Sequence, residues 1–110
     1  MAYGNWDDIV KEYQVTYLHT RYAENAQAMI ELIPHLRKQF DDENIIPVTS
    51  HGTLFLKQAN KKTEIYIFYK GDNRYEISLY VPKEEAPVAR VEVTFSELIT
   101  TLKQYIKNVS

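Results

Sequence analysis

Imidazole is the side chain best suited to proton transfer near neutral pH and to metal ligation, and this chain of 110 residues has three: His19, His35 and His51. No two of them share the spacing that sets donors on one helix face, and the HExxH pattern of zinc hydrolases is absent. Ser50-His51 puts a hydroxyl beside a base, but neighbours in a strand point to opposite faces. Proton transfer needs heavy atoms about 3 Å apart, so the pair does not read as a nucleophile and its base. The carboxylates Glu84-Glu85 fall in a loop between Pro82 and Pro87, where water surrounds them. Three dispersed glycines cannot line a phosphate loop, and the absence of cysteine removes disulfides and thiolate zinc sites. These residues predict a protein that is not an enzyme and holds no cofactor and no metal.

A different constellation stands out. Phe55, Tyr66, Phe68 and Tyr80 are accompanied by Lys57, Lys70, Arg74 and Arg90, with Glu64, Glu76 and Glu92 interleaved. Aromatic anchors inside a charged rim are what protein-binding surfaces favour, and nine tyrosines is a high count for this length. Aromatics on a sheet can also stack nucleotide bases while cations follow phosphates. The interleaved glutamates and a net charge of −2 weigh against that use.

The alternation of strands places these residues on one face. In Thr63–Lys70, Ile65, Ile67 and Tyr69 point one way, and Glu64, Tyr66, Phe68 and Lys70 the other. After a turn at Gly71-Asp72-Asn73, Tyr75, Ile77, Leu79 and Val81 oppose Arg74, Glu76, Ser78 and Tyr80. After the loop from Pro82 to Pro87, Ala89, Val91, Val93 and Phe95 oppose Arg90, Glu92 and Thr94. Upstream, residues 46–58 are expected to hold the first strand, with Leu54 and Leu56 in the core and Thr53, Phe55 and Lys57 on the mixed face. His51-Gly52 there reads as a bend or bulge, and Asn60-Lys61-Lys62 as a hairpin turn. One sheet face is thus aliphatic and must be covered.

Helices supply the cover. Thr94 and Glu97 form a capping box, Val93 and Leu98 take the staple positions, and Leu98, Leu102, Tyr105, Ile106 and Val109 recur at helical spacing. Ala26, Met29, Ile30, Ile33, Leu36 and Phe40 make a second stripe, in which Pro34 predicts a kink or break followed by a short helix reaching Phe40. Asp41-Asp42-Glu43-Asn44 reads as a solvated loop. Near the start, Asn5 or Asp7 can cap a helix with Ile9, Tyr13 and Tyr17 on one face, whereas residues 13–20 suit a strand equally well.

The expected fold is a single α+β domain over residues 1–110: a four-stranded antiparallel β-meander, five-stranded if residues 13–20 join it, packed with an N-terminal helical region and a C-terminal amphipathic helix. The helices either share the aliphatic face or divide the two faces. No apolar run approaches the ~18 residues of a membrane span, and the first six residues lack the pattern of a signal peptide, so a cytoplasmic protein is expected. For the mixed face, three uses compete: core beneath the N-terminal helix or a second copy, a protein-binding surface, or a nucleic-acid platform. The expected function is a small non-enzymatic protein-binding module of inhibitor, immunity or antitoxin, adaptor or chaperone type. Its contact residues would be Phe55, Lys57, Tyr66, Phe68, Lys70, Arg74, Tyr80 and Arg90, and its partner another protein or a second copy. Single-stranded nucleic-acid binding is the runner-up. A small-ligand pocket between helix and sheet, lined by tyrosines and a histidine, is the third reading.

Overall fold

The computed structural model describes residues 4–21, 23–40, 45–50, 52–58, 62–81 and 85–108. The acidic loop at 41–44, His51, the turn residues Asn60 and Lys61, Glu84 and Val109 lie outside the described residues. In chain order the elements are α1 (Trp6–Val15), a 3-10 turn (Tyr17–His19), α2 (Ala23–Phe40), β1 (Ile45–Ser50), β2 (Thr53–Gln58), β3 (Glu64–Gly71), β4 (Arg74–Tyr80), β5 (Ala89–Thr94) and α3 (Phe95–Asn108). The sheet is an antiparallel meander in the order β1-β2-β3-β4-β5. It has five strands rather than four, and the fifth does not come from residues 13–20. Two strands form between Ile45 and Gln58 where the sequence suggested one, because a two-residue connection joins Ser50 to its partner Thr53. Gly52, at φ 82°, supplies the backbone that such a turn requires, so the position closes a hairpin instead of bending one strand. The β3–β4 turn likewise places Asp72 and Asn73 at φ 51° and 61°, the left-handed pair of a tight hairpin.

Residues 13–20 hold the end of α1 and the 3-10 turn after it, and no strand. Asn5 caps α1, its Oδ1 accepting the N–H groups of Asp7 at 2.8 Å and Asp8 at 3.3 Å. Trp6, Ile9 and Tyr13 then fall at i, i+3 and i+7 and are all buried. That stripe outweighs the β-propensity of the stretch, since burial is worth about 1.5–3 kcal/mol per large side chain and propensity only tenths. α2 runs without a break through Pro34, whose side chain is exposed, while Met29, Leu32, Ile33 and Leu36 on the other side are buried. Core packing on both sides of the proline holds the helix together there.

α3 begins as its sequence implies. Glu97 Oε1 accepts from the Thr94 N–H at 3.0 Å and from its hydroxyl at 2.9 Å. These bonds hold the Glu97 carboxyl below its ordinary range. Val93 and Leu98, the staple pair, are both buried.

All three helices lie on the aliphatic face. Their buried residues form one cluster with Leu54 and Leu56 of β2, Ile65 and Ile67 of β3, Tyr75 and Ile77 of β4, and Val93 of β5. The alternative in which the helices divide the two faces is therefore overturned, as the aliphatic face is wide enough to take α1, α2 and α3 together. No helix among the described residues is long and apolar enough to cross a membrane.

Candidate binding face

The sheet register brings the mixed-face residues together. Phe55 on β2 is directly opposite Tyr66 on β3, and their rings stack with centroids 4.8 Å apart and planes 18° from parallel. Tyr66 in turn meets Tyr80 of β4 at 4.5 Å, tilted by 46°. Three rings thus run across three strands, a spacing at which aromatic pairs contribute about 0.5–1.5 kcal/mol beyond burial. Phe68, two residues along β3 from Tyr66, is 36% exposed, whereas Phe55 is only 9% exposed. Val48, opposite Phe55 on β1, is buried on the same side. The β1–β2 end of the face is therefore packed, and the accessible part lies over β3 and β4. Phe55, expected as a contact residue, is instead packed beside Tyr66.

Charges surround these rings in a fixed pattern. Glu76 on β4 directly opposes Glu92 on β5, a like-charge juxtaposition that would be unfavourable alone. Each is neutralised on a diagonal: Arg90 Nε meets Glu76 Oε1 at 2.7 Å, and Arg74 Nε meets Glu92 Oε1 at 2.6 Å. Glu76 also takes Lys70 Nζ at 3.4 Å on its other oxygen. Across β2 and β3, Lys57 Nζ lies 3.5 Å from Glu64, whose second oxygen accepts the Tyr66 hydroxyl at 3.1 Å. Burial first, then the charge and hydrogen bond of Glu64 and the nearby Tyr80, push the Tyr66 hydroxyl upward from its ordinary pKa. It therefore stays protonated at neutral pH and remains a donor.

A hollow of about 180 Å³ opens in this face, lined by Thr53, Tyr66, Phe68, Glu76, Ser78, Tyr80 and Arg90. It is large enough for one side chain and small for a cofactor. Ser78 Oγ lies 3.5 Å from Glu76 Oε1, but a carboxylate already held by Arg90 and Lys70 makes a poor base. A second hollow, also about 180 Å³, sits where the start of α2 meets the end of β3, between Arg21, Glu24, Asn25, Phe68, Tyr69, Lys70 and Gly71. Neither hollow includes a histidine, so the expected tyrosine-and-histidine pocket between helix and sheet is not among them. His19 sits in the 3-10 turn and His35 on α2, edge-on to Phe95 at 5.1 Å. Among the described residues no three His, Cys, Asp or Glu side chains are grouped as metal ligands.

Seven of the eight candidate contact residues belong to this accessible region or its rim, and Phe55 is packed at its side against Tyr66. Sequence reading missed two residues. Val48 sits in an apolar run that the sequence pattern does not divide from the next strand. Asn25 interrupts an otherwise apolar stripe and is buried with both its amide nitrogen and its amide oxygen hydrogen-bonded. Comparison with known proteins returns no match: no family model fits the chain, and neither a curated protein nor a solved structure matches it.

Proposed function

We propose that the protein is a small non-enzymatic module that binds another protein through the open face of its sheet. The observation that carries this reading is the segregation of helices. α1, α2 and α3 all pack on the aliphatic side, while Tyr66 and Tyr80 stay half-exposed and Phe68 is 36% exposed on the other. Aromatic residues around a one-side-chain hollow, rimmed by paired charges, have the composition of an interface hot spot. In this reading Tyr66, Phe68 and Tyr80 are the anchors. Lys70, Arg74, Arg90 and Lys57 form a rim that sets orientation and encounter rate more than affinity.

The pairing of the rim argues against a nucleic-acid platform. Lys57, Lys70, Arg74 and Arg90 each already meet a carboxylate, so a phosphate would have to displace it and then face the glutamate. Tyr66→Ala or Phe68→Ala should weaken the protein partner by more than about 2 kcal/mol while unfolding stays cooperative. Loss of folding instead would make the face part of the core. Tight oligonucleotide binding that falls steeply with salt would replace this reading by its runner-up.

A further inference from the structure

The last strand of the sheet carries information that the open face does not use. Among the described residues β5 is paired on one side only, with β4, and its other edge ends the strand order. An unpaired edge is a template for another strand, and proteins commonly blunt it with like charges, which repel an approaching copy in every register. β5 does not do this. Its face-exposed positions carry opposite charges two residues apart, Arg90 and Glu92, with side chains 56% and 46% exposed.

Two copies that join edge to edge about a two-fold axis run antiparallel, and directly opposed residues must point to the same face. This leaves a small choice of registers. One opposes Arg90 to the second copy's Arg90, and another opposes Glu92 to the second copy's Glu92; both set like charges side by side. The register centred on Val91 opposes Arg90 to the second copy's Glu92, and Glu92 to the second copy's Arg90. It also sets Val91 against its own counterpart, Ala89 against Val93, and Val88, otherwise 53% exposed, against Thr94. A guanidinium has five donors and a carboxylate two oxygens, so each can keep its partner within the chain, Glu76 or Arg74, while meeting the other copy.

We infer that the chain forms a two-fold dimer by antiparallel pairing of β5 with the β5 of a second copy, in the register centred on Val91. The dimer has one continuous sheet, five strands from each copy, with the helices of both on one side. The two aromatic faces then lie side by side on the other, which doubles the surface offered to a partner without covering it. This goes beyond the binding reading and does not depend on it.

The test is the mass in solution, by sedimentation or light scattering, across a hundredfold range of concentration. The mass should rise from that of one chain to that of two. Arg90→Glu alone and Glu92→Arg alone should each raise the dissociation constant about tenfold or more, since each sets like charges across the axis. An equimolar mixture of the two variants should associate again, because every cross-axis pair is then of opposite sign. The double variant R90E/E92R should dimerise more tightly than either single variant, since it restores opposite charges across the axis, although it sets like charges on the Glu76 and Arg74 diagonals within each chain. A chain that remains monomeric throughout would overturn the inference, as would a dimer indifferent to the swaps or a mixture that stays apart. If a swapped chain does not fold, wild-type amide exchange decides: protection along Ala89–Thr94 must increase with concentration, and unchanged exchange there refutes the pairing. Phe68→Ala leaves this dimer intact, so its effect on partner binding is separable.

Discussion

Asn25 on α2 accepts the backbone N–H of Tyr69 on β3 through its Oδ1 at 3.1 Å. The β2–β3 ladder ends at the pair Leu54 and Ile67, so Tyr69 has passed beyond the strand that would have paired its N–H. The Asn25 amide takes that place, and its Nδ2 donates to the Gly52 carbonyl at 2.7 Å. The Tyr13 hydroxyl reaches the same carbonyl at 3.0 Å. One side chain thus fastens the β1–β2 turn and the end of β3 to the helical layer.

Asn25→Ala should lower the free energy of unfolding by about 1–3 kcal/mol in urea titrations, because it strands the part-buried N–H of Tyr69 and removes a buried donor from the Gly52 carbonyl. Asn25→Asp is the sharper variant. It keeps the acceptor for Tyr69 but sets a carboxylate against the Gly52 carbonyl. Burial and the facing carbonyl raise the folded pKa of that carboxyl above the ordinary value of about 4. The variant's deficit should therefore be full at neutral pH and should shrink as pH falls toward about 4, where the protonated carboxyl is a donor.

Pro34 gives a prediction of the opposite sign. Its ring occupies the interior of α2 with its side chain in solvent, where proline forfeits one hydrogen bond and crowds the carbonyl of Ile30. Pro34→Ala should stabilise the protein by about 1–3 kcal/mol, less than the full helix-propensity difference because alanine frees the unfolded chain. A melting temperature that stays level or falls would contradict this account of α2.

Alkaline pH tests the core through Tyr13. Its hydroxyl is buried beside Tyr17, and burial followed by that neighbour pushes its pKa far above the ordinary 10.0. The folded pKa is raised, so stability is intact below about 10 and is lost as pH climbs beyond it, where only the unfolded chain ionises at this position. Tyr13→Phe should move the alkaline unfolding midpoint upward. At neutral pH it should cost only about 1 kcal/mol, since Asn25 still donates to Gly52. Tyr66, Tyr75 and Tyr105 are shifted the same way, so the alkaline transition is moved and not abolished.

The legible parts of the fold were those written in local pattern. Period-two alternation from Glu64 to Thr94 placed every mixed-face residue of β3, β4 and β5 correctly, and the Thr94–Glu97 box fixed where α3 begins. What failed depended on partners distant in sequence. Residues 13–20 read equally as helix or strand until Tyr13 is seen completing the stripe of Trp6 and Ile9 against the core. Pro34 marks a helix break unless packing on both sides holds the helix, and the burial of Ile33 and Leu36 shows that it does. For the site, sequence named the face but not its depth. That Phe55 is packed while Phe68 is exposed depends on the strand register, which sets Val48 and Tyr66 on either side of Phe55. The role of Asn25 left no mark beyond a polar residue in an apolar stripe.

The claim that the open face is a binding surface is tested most directly by site-specific photo-crosslinking in the protein's own cells. A photoreactive side chain is placed at position 68, and in a control at position 27, where Gln27 is exposed on α2. The account predicts a discrete adduct with a different protein from position 68 and none from position 27. It also predicts that Tyr66→Ala, introduced together with the position-68 probe, removes that adduct while the fold survives. No adduct at 68, the same adduct at both positions, or an adduct only with a second copy of the chain would contradict it.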